Sequence, residues 1–389
     1  MHHGSASTHW LLLATLATIP AQAQFDLQDS HTTASLRGIH SLGNGIAWAS
    51  GTDGAVRRTA DGGTRWQTCA IPPAAEHLDF RGIQAFDENT AIVMASGKGD
   101  LSRLYKTTDG CRTWTLLFSN PDKEGFWDAI QFSSPDQGVL LGDPVNNIFV
   151  VMLTFNGGLK WERQTLRATQ DINGEGAFAA SNSSLLLEYG LGYRKFCTGG
   201  PGGPRVIALG AGPSAMPSSS VEDSWPADLH AERLPVKGPA FEGSGCFSLA
   251  VDRRGTGTEI AVGGNYKAPS DKENTAWTTA NWLATLSANN TSEWHAAQTP
   301  PHGYRSSVAY DPKSKTWITV GPNGTDISRD DGNNWTALRP SPNQPPNTDR
   351  DANKETDRNW NALSLPFVVG PHGRIGKLRA DALPPEAKP

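Results

Sequence analysis

The chain has 389 residues and a net charge of −5 with no basic tract, which excludes a general binder of nucleic acid or other polyanions. With 41 glycines and 13 tryptophans against 4 methionines, the composition points to short strands joined by tight turns rather than to helices. The length exceeds that of most single domains, but a closed all-β fold can use it as one unit.

Residues 1–23 read as an export signal. Trp10 to Ile19 is an apolar run of h-region length, and Ala21-Gln22-Ala23 supplies a small-x-small cleavage site, so the mature chain is expected to begin at Gln24. The n-region is unusual in carrying His2, His3 and His9 and no Lys or Arg. The apolar run is too short to span a bilayer, and no other stretch comes close, so no transmembrane segment is expected and the protein is expected to be secreted or periplasmic. In an exported chain an even number of cysteines, here 4, suggests bridges, and their spacing fits no CxxC metal pattern.

A turn with the pattern Ser/Thr-x-Asp-x-Gly-x-x-Trp then recurs along the chain. Its copies are Thr59-Ala-Asp61-Gly-Gly63-Thr-Arg-Trp66, Thr107-Thr-Asp109-Gly-Cys111-Arg-Thr-Trp114, Thr154-Phe-Asn156-Gly-Gly158-Leu-Lys-Trp161 and Ser328-Arg-Asp330-Asp-Gly332-Asn-Asn-Trp335. The first three tryptophans are 48 and 47 residues apart, and Trp294, 41 before Trp335, closes a decayed copy. This is the period of four-stranded propeller blades. Seven strand starts keep the same register: Leu36-Arg-Gly-Ile, Phe80-Arg-Gly-Ile, Trp127-Asp-Ala-Ile, Glu175-Gly-Ala-Phe, Ser244-Gly-Cys-Phe, Arg305-Ser-Ser-Val and Trp360-Asn-Ala-Leu. The seventh unit stops after three strands near Lys377, while Phe25 to Thr33 precedes the first unit and is otherwise unused. The prediction is an all-β, seven-bladed β-propeller over 24–379 in which the N-terminal strand closes the last blade, followed by a disordered tail at 380–389. Gly210 to Pro239 should make the outer part of the fourth unit irregular, Tyr266 to Asn281 should enlarge a turn of the fifth, and Pro340 to Asn359 reads as a linker.

The turn resembles the Asp-box, or bacterial neuraminidase repeat, of sialidases and many non-enzymatic propellers. Its Thr-x-Asp-Gly-Gly-x-x-Trp form, in an exported chain of seven units, most resembles the photosystem II assembly-factor propellers and their relatives in non-photosynthetic bacteria. The resemblance implies that Asp61, Asp109, Asn156 and Asp330 are fold elements on the outer rim, away from any ligand site. It also implies a non-catalytic scaffold or assembly factor.

In a propeller the first strand of each blade lines the central channel, so strand starts and the second-to-third-strand turns share one face. The candidate ligand-binding residues there are Arg37, Arg81, Lys98, Asp100, Trp127, Asp128, Asp143, Glu175 and Arg305. These residues either solvate a water-filled channel or hold a protein partner or small ligand at its mouth, and the chain is expected to act as a monomer. The alternative is a sialidase-like glycoside hydrolase. In it Arg37, Arg81 and Arg305 would clamp a carboxylate, Tyr304 or Tyr266 with Glu175 would form the nucleophile and its base, and Asp128 would be the acid. The Arg-Ile-Pro motif of sialidases is replaced here by Arg37-Gly-Ile. No cofactor is expected: Gly199-Gly-Pro-Gly-Gly-Pro204 opens no helix, which disfavours an oxidoreductase. No metal is expected, because no HExxH or clustered ligand spacing occurs, and no GxSxG nucleophile is present. On the blade register Cys197 can meet Cys246 and Cys69 can meet Cys111, among the three pairings that four cysteines allow.

Overall fold

The computed structural model describes residues 24–167, 172, 174–188, 193–210, 227–253, 257–280, 293–338 and 357–383. The leader at 1–23 and residues 340–356 of the predicted linker lie outside them.

Seven sheets follow one another along the chain, and the fold is the predicted seven-bladed propeller. Blade one comprises Leu36–Gly43, Ile46–Gly51, Val56–Thr59 and Gln67–Thr68, and blade two Phe80–Ala85, Ala91–Ala95, Arg103–Thr107 and Thr115–Ser119. Blade three comprises Trp127–Phe132, Gly138–Val145, Ile148–Thr154 and Glu162–Arg163. Blades five and six run from Ser244–Val251 to His295–Ala296 and from Ser307–Asp311 to Thr336–Ala337. The second strands explain why such sheets stack. Ala91–Ala95 is buried at every position, as is Thr316–Gly321, because each has a neighbouring blade on both faces. Such strands read as continuous apolar or small-residue runs rather than as alternating ones. Successive blades are joined by apolar seams, such as Trp48, Phe80, Tyr105 and Trp114 between blades one and two.

The ring closes as expected. Phe25–Gln28 pairs antiparallel with Ile375–Leu378, the third strand of a blade whose inner strands are Ala362–Ser364 and Phe367–Val369. Phe25 packs on Trp360 with ring centroids 5.4 Å apart, and the Trp66 indole N–H donates to Gln28 Oε1 at 2.7 Å. The first and last segments of the propeller are thereby tied to one another. Past Arg379 the chain is described to Leu383, with the Arg379 guanidinium bridging Asp26 and Asp381.

Each box is a capped turn. In the first, Gly63 N–H donates to Thr59 Oγ1 at 2.9 Å, Thr59 donates to Asp61 Oδ1 at 2.8 Å, and Arg65 N–H donates to the same oxygen at 3.0 Å. Asp109, Asn156 and Asp330 repeat this pattern. Two backbone N–H groups are satisfied locally by side chains that also bond each other, and the tryptophan that follows is carried into a seam. The corner requires positive φ: Gly63, Gly158 and Gly332 adopt it, and Cys111 adopts it too at φ 63°.

Both disulfides join neighbouring blades. Cys69 pairs with Cys111 and Cys197 with Cys246, with Cα–Cα distances of 5.2 and 5.4 Å.

Blade four departs from the repeat. Its sheet has five strands, because Leu166–Arg167 lies parallel to Ala227–Arg233 on the outer edge. The fourth strand here has seven residues where blades one and three have two, so it offers a long edge that the incoming chain covers. The inner strand was expected to begin at Glu175. The regular ladder is instead Leu185–Glu188 against Tyr193–Cys197, and the expected start is held by one bridge, Gly176 to Gly199. The turn of blade five is also shorter than expected, since Ala276–Thr279 is already its third strand.

Candidate functional site

The residues between that bridge and Leu185 cross the middle of the ring. Asn182 accepts from Ile130 N–H at 2.8 Å and donates to Ile130 O at 2.9 Å, on the inner strand of blade three. Ser181 donates to Ser306 O at 2.6 Å beside the inner strand of blade six, and Ser183 shares a 2.7 Å hydrogen bond with Ser248 of blade five. Arg81 of blade two donates to Ala179 O at 3.3 Å. A segment bonded to four other blades occupies the channel rather than lining it. Ala180-Ser181-Asn182-Ser183-Ser184 suits this role: its side chains are small, and most can both donate and accept. The channel, expected to be water-filled, is plugged.

Above the plug, two of the predicted arginines meet. Arg37 Nε lies 3.2 Å from Asp79 Oδ1, and Arg81 Nε lies 2.8 Å from Asp79 Oδ2. Both guanidinium-bearing side chains are part-exposed, at 31% and 28%. Burial and the neighbouring Arg81 lower the Arg37 pKa, against the opposing pull of Asp79. An aromatic group lies beside them. Phe178 of the plug stacks on Phe247 at 3.9 Å, and Phe247 meets Tyr304 edge-on at 4.8 Å and Tyr266 at 6.2 Å. Burial raises the Tyr304 pKa, and the charges of Arg37 and Arg81 act on it in the opposite direction.

Two acids lie beneath. Asp128 is fully buried, and burial with the nearby Asp143 raises its pKa well above the usual carboxylate range. Asp143 accepts from Ala177 N–H at 3.0 Å, anchoring the plug where it enters, and burial raises its pKa to about 6. This sets a pH dependence. Below the unfolded value of 3.8 both states are protonated and nothing is lost. As pH rises from 3.8 to about 6 the unfolded chain releases a proton that the folded chain keeps, so stability falls, and above 6 the penalty is complete. A shift of that size corresponds to roughly 2–3 kcal/mol. Asp143→Asn keeps an acceptor for Ala177 and removes the charge. Urea unfolding should show the variant gaining up to roughly 2–3 kcal/mol over the wild type at pH 7 and almost nothing at about pH 3. A difference independent of pH would refute this assignment.

The other candidates are placed differently. Lys98 pairs with Glu124 at 2.5 Å, and Asp100 lies 3.7 Å from Arg103; Lys98 and Asp100 are both exposed turn residues. Trp127 is 1% exposed and stacks on Phe118. Glu175 is buried, accepting from Arg205 Nε at 2.7 Å and Thr198 Oγ1 at 3.0 Å. Arg305 is buried and bonded to Asp326 and to Tyr304 O. The predicted three-arginine clamp is therefore not assembled, since the Arg305 guanidinium is enclosed and occupied. Nor does a hydrogen bond join Glu175 to Tyr304 or Tyr266.

The sequence contains a signal for this division. Aligned on Ile39, Ile83, Ile130 and Val308, the residues Leu36, Phe80, Trp127 and Arg305 share one slot, and all four are buried in seams. Arg37, Arg81 and Asp128 occupy the next slot, the extra residue of a β-bulge in each inner strand, where the register shifts between Leu36 and Gly38, Phe80 and Gly82, and Trp127 and Ala129. Phe178 and Phe247 were not singled out, because in sequence they read as ordinary apolar strand residues.

No family model and no curated protein matches the sequence. Solved structures do. "YCF48 bound to D1 peptide" superposes with a TM-score of 0.55 at 15% identity, covering 95% of this chain and 100% of that one. YCF48 from Cyanidioschyzon merolae gives 0.56 at 17% identity, covering 92% and 99%. The chain shares the fold of the YCF48 propellers. The likeness spans the whole ring and is one of fold.

Proposed function

We propose that the chain is a non-catalytic binding propeller, an assembly factor or scaffold, that seats an extended peptide of a protein partner on the Arg37–Asp79–Arg81 face. The observation that carries this reading is the sharing of one carboxylate by two part-exposed guanidinium groups beside an aromatic group. Two cations on one anion leave a surplus positive charge, and each fork retains N–H donors for a second carboxylate. Tyr266, 48% exposed, supplies an apolar surface for a neighbouring side chain. A peptide presenting a carboxylate next to an apolar residue fits both features. That a structurally similar propeller is described as bound to a D1 peptide supports a peptide as the ligand class.

The working location is proposed to be outside the cytoplasm. Two disulfides suit an oxidising compartment, and no helix among the described residues is long and apolar enough to cross a membrane. The protein is proposed to act there as a monomer.

The test uses peptide libraries ending in Asp, Glu or a free α-carboxylate after an apolar residue, with amidated controls, read by fluorescence anisotropy. Carboxylate peptides should bind, the neutral controls should not, and Arg37→Ala with Arg81→Ala should weaken binding by at least tenfold, since charge-assisted hydrogen bonds are lost. Equal binding of acidic and neutral peptides, or an unaffected double variant, would overturn the reading.

A further inference from the structure

The plug divides the channel, and the half behind it forms a separate chamber. This cavity of about 380 Å³ lies on the face that carries the Asp-box turns, at the far ends of the inner strands. Its volume falls in the range of small-molecule sites. Ser181, Asn182 and Ser183 line it on the plug side, with Ile39, Ile83 and Leu363 among the apolar wall residues.

The polar lining is one-sided. Among the described residues it contains no Asp or Glu, and its one cationic side chain is Arg253. Arg253 uses one nitrogen on Leu187 O, and among the described residues its other N–H groups meet no further hydrogen-bond partner. His40 accepts the Ala85 N–H on Nδ1 at 2.8 Å, which requires the proton to sit on Nε2, leaving that N–H as a donor. Burial lowers the His40 pKa to about 4, so the ring stays neutral at physiological pH. The Ser364 hydroxyl oxygen accepts from Ser41 N–H at 2.9 Å, and its own proton is free to donate. Gln131 uses its amide nitrogen on Leu185 O and keeps its oxygen as an acceptor. Donors from blades one, five and seven thus face one space without a competing carboxylate among the described residues.

We infer that this chamber is a second binding site, for a small hydroxylated anion of monosaccharide size carrying a carboxylate or a phosphate ester. Arg253 holds the anionic group, and His40, Gln131 and Ser364 address hydroxyls. The site lies on the opposite side of the plug from Arg37 and Arg81, so it can be filled independently of the peptide face.

Isothermal titration of the full chain with glucuronate, glucose 6-phosphate and glucose tests the assignment. At least one anion should bind, and the stronger of the two identifies whether carboxylate or phosphate is preferred; glucose should bind at least tenfold more weakly, because it lacks the charge-assisted contact. Arg253→Gln should reduce anion affinity by about tenfold or more. Ser133→Trp, at an exposed rim position of the chamber, should block every ligand. Arg37→Ala with Arg81→Ala should leave anion binding unchanged, which separates this site from the peptide face. The inference is overturned if neither anion binds, if glucose binds as well as the anions, or if Arg253→Gln and Ser133→Trp behave like wild type.

Discussion

Replacing Lys195 with methionine should cost about 3–5 kcal/mol of folding stability, among the largest effects of any single substitution in this chain. Lys195 and Glu259 lie on the second strands of blades four and five, Tyr193–Cys197 and Glu259–Asn265, with side chains 2% and 0% exposed. The Lys195 ammonium donates to Glu259 Oε2 across the seam. Burial pushes the Glu259 pKa up and the lysine opposes it, so the charge is tolerated only while its partner is present. Lys195→Met leaves that carboxylate without its cation in a buried seam where Glu232 already raises its pKa, so it must take up a proton or remain uncompensated. Adding Glu259→Leu removes the stranded group, and the double variant should recover most of the loss, because a buried pair is often replaceable by apolar packing at little cost. Urea unfolding of both variants is the check. A double variant as unstable as the single one would show that the lysine stabilises the seam through contacts other than its pairing with Glu259.

This pair also shows where sequence reading stops. The ring, its seven blades and its closure by Phe25–Gln28 were legible because each rests on local, repeated chemistry. Thr59, Asp61 and Gly63 satisfy one another within five residues, and the tryptophan that follows marks the same corner each time. Even Cys111, in place of the glycine, could be placed, because the turn around it keeps the same hydrogen bonds. Buried charges have no such local signature. Glu175 looked like a channel residue because its partner, Arg205, is 30 residues away on another strand of its own blade. Arg305 looked like part of a clamp because Asp326, which encloses it, reads in sequence as one more polar strand residue. The plug was missed for a related reason. The run of alanine, serine and asparagine after Phe178 has little apolar character, and its hydrogen-bond partners lie in four other blades. By contrast, Arg37 and Arg81 were placed together from register alone, since each takes the same bulge position after a seam residue in its blade.

Reduction of the two disulfides should lower stability by about 4 kcal/mol for each bridge in the chain-entropy account. Their sequence separations are 42 and 49 residues, so loop length does not distinguish them. Their surroundings do. Cys111 stands at the box corner with φ 63°, where the other boxes carry glycine, so a β-carbon is held there in the left-handed region. Removing the first bridge as Cys69→Ala with Cys111→Gly relieves that conformation, whereas Cys69→Ala with Cys111→Ala keeps it. The glycine version should therefore be the more stable by about 1 kcal/mol, although glycine also loosens the unfolded chain. The seam it joins retains Ala70 N–H to Cys111 O at 3.1 Å and the Trp114 indole to Ala70 O at 2.9 Å, so the blades should stay docked. At the second bridge Cys246 N–H donates to Thr198 O at 3.1 Å and Gly199 pairs with Gly245, but the plug and the buried Lys195–Glu259 pair depend on the same blade contact. Cys197→Ala with Cys246→Ala should consequently loosen more than its own seam. Amide exchange should accelerate at Ile130 and Ala177, whose N–H groups bond the plug to blade three, and remain slow there in the Cys69/Cys111 variants. Equal exchange at those amides in both sets would mean that the second disulfide stabilises the ring only by restricting the unfolded chain and has no part in holding the plug.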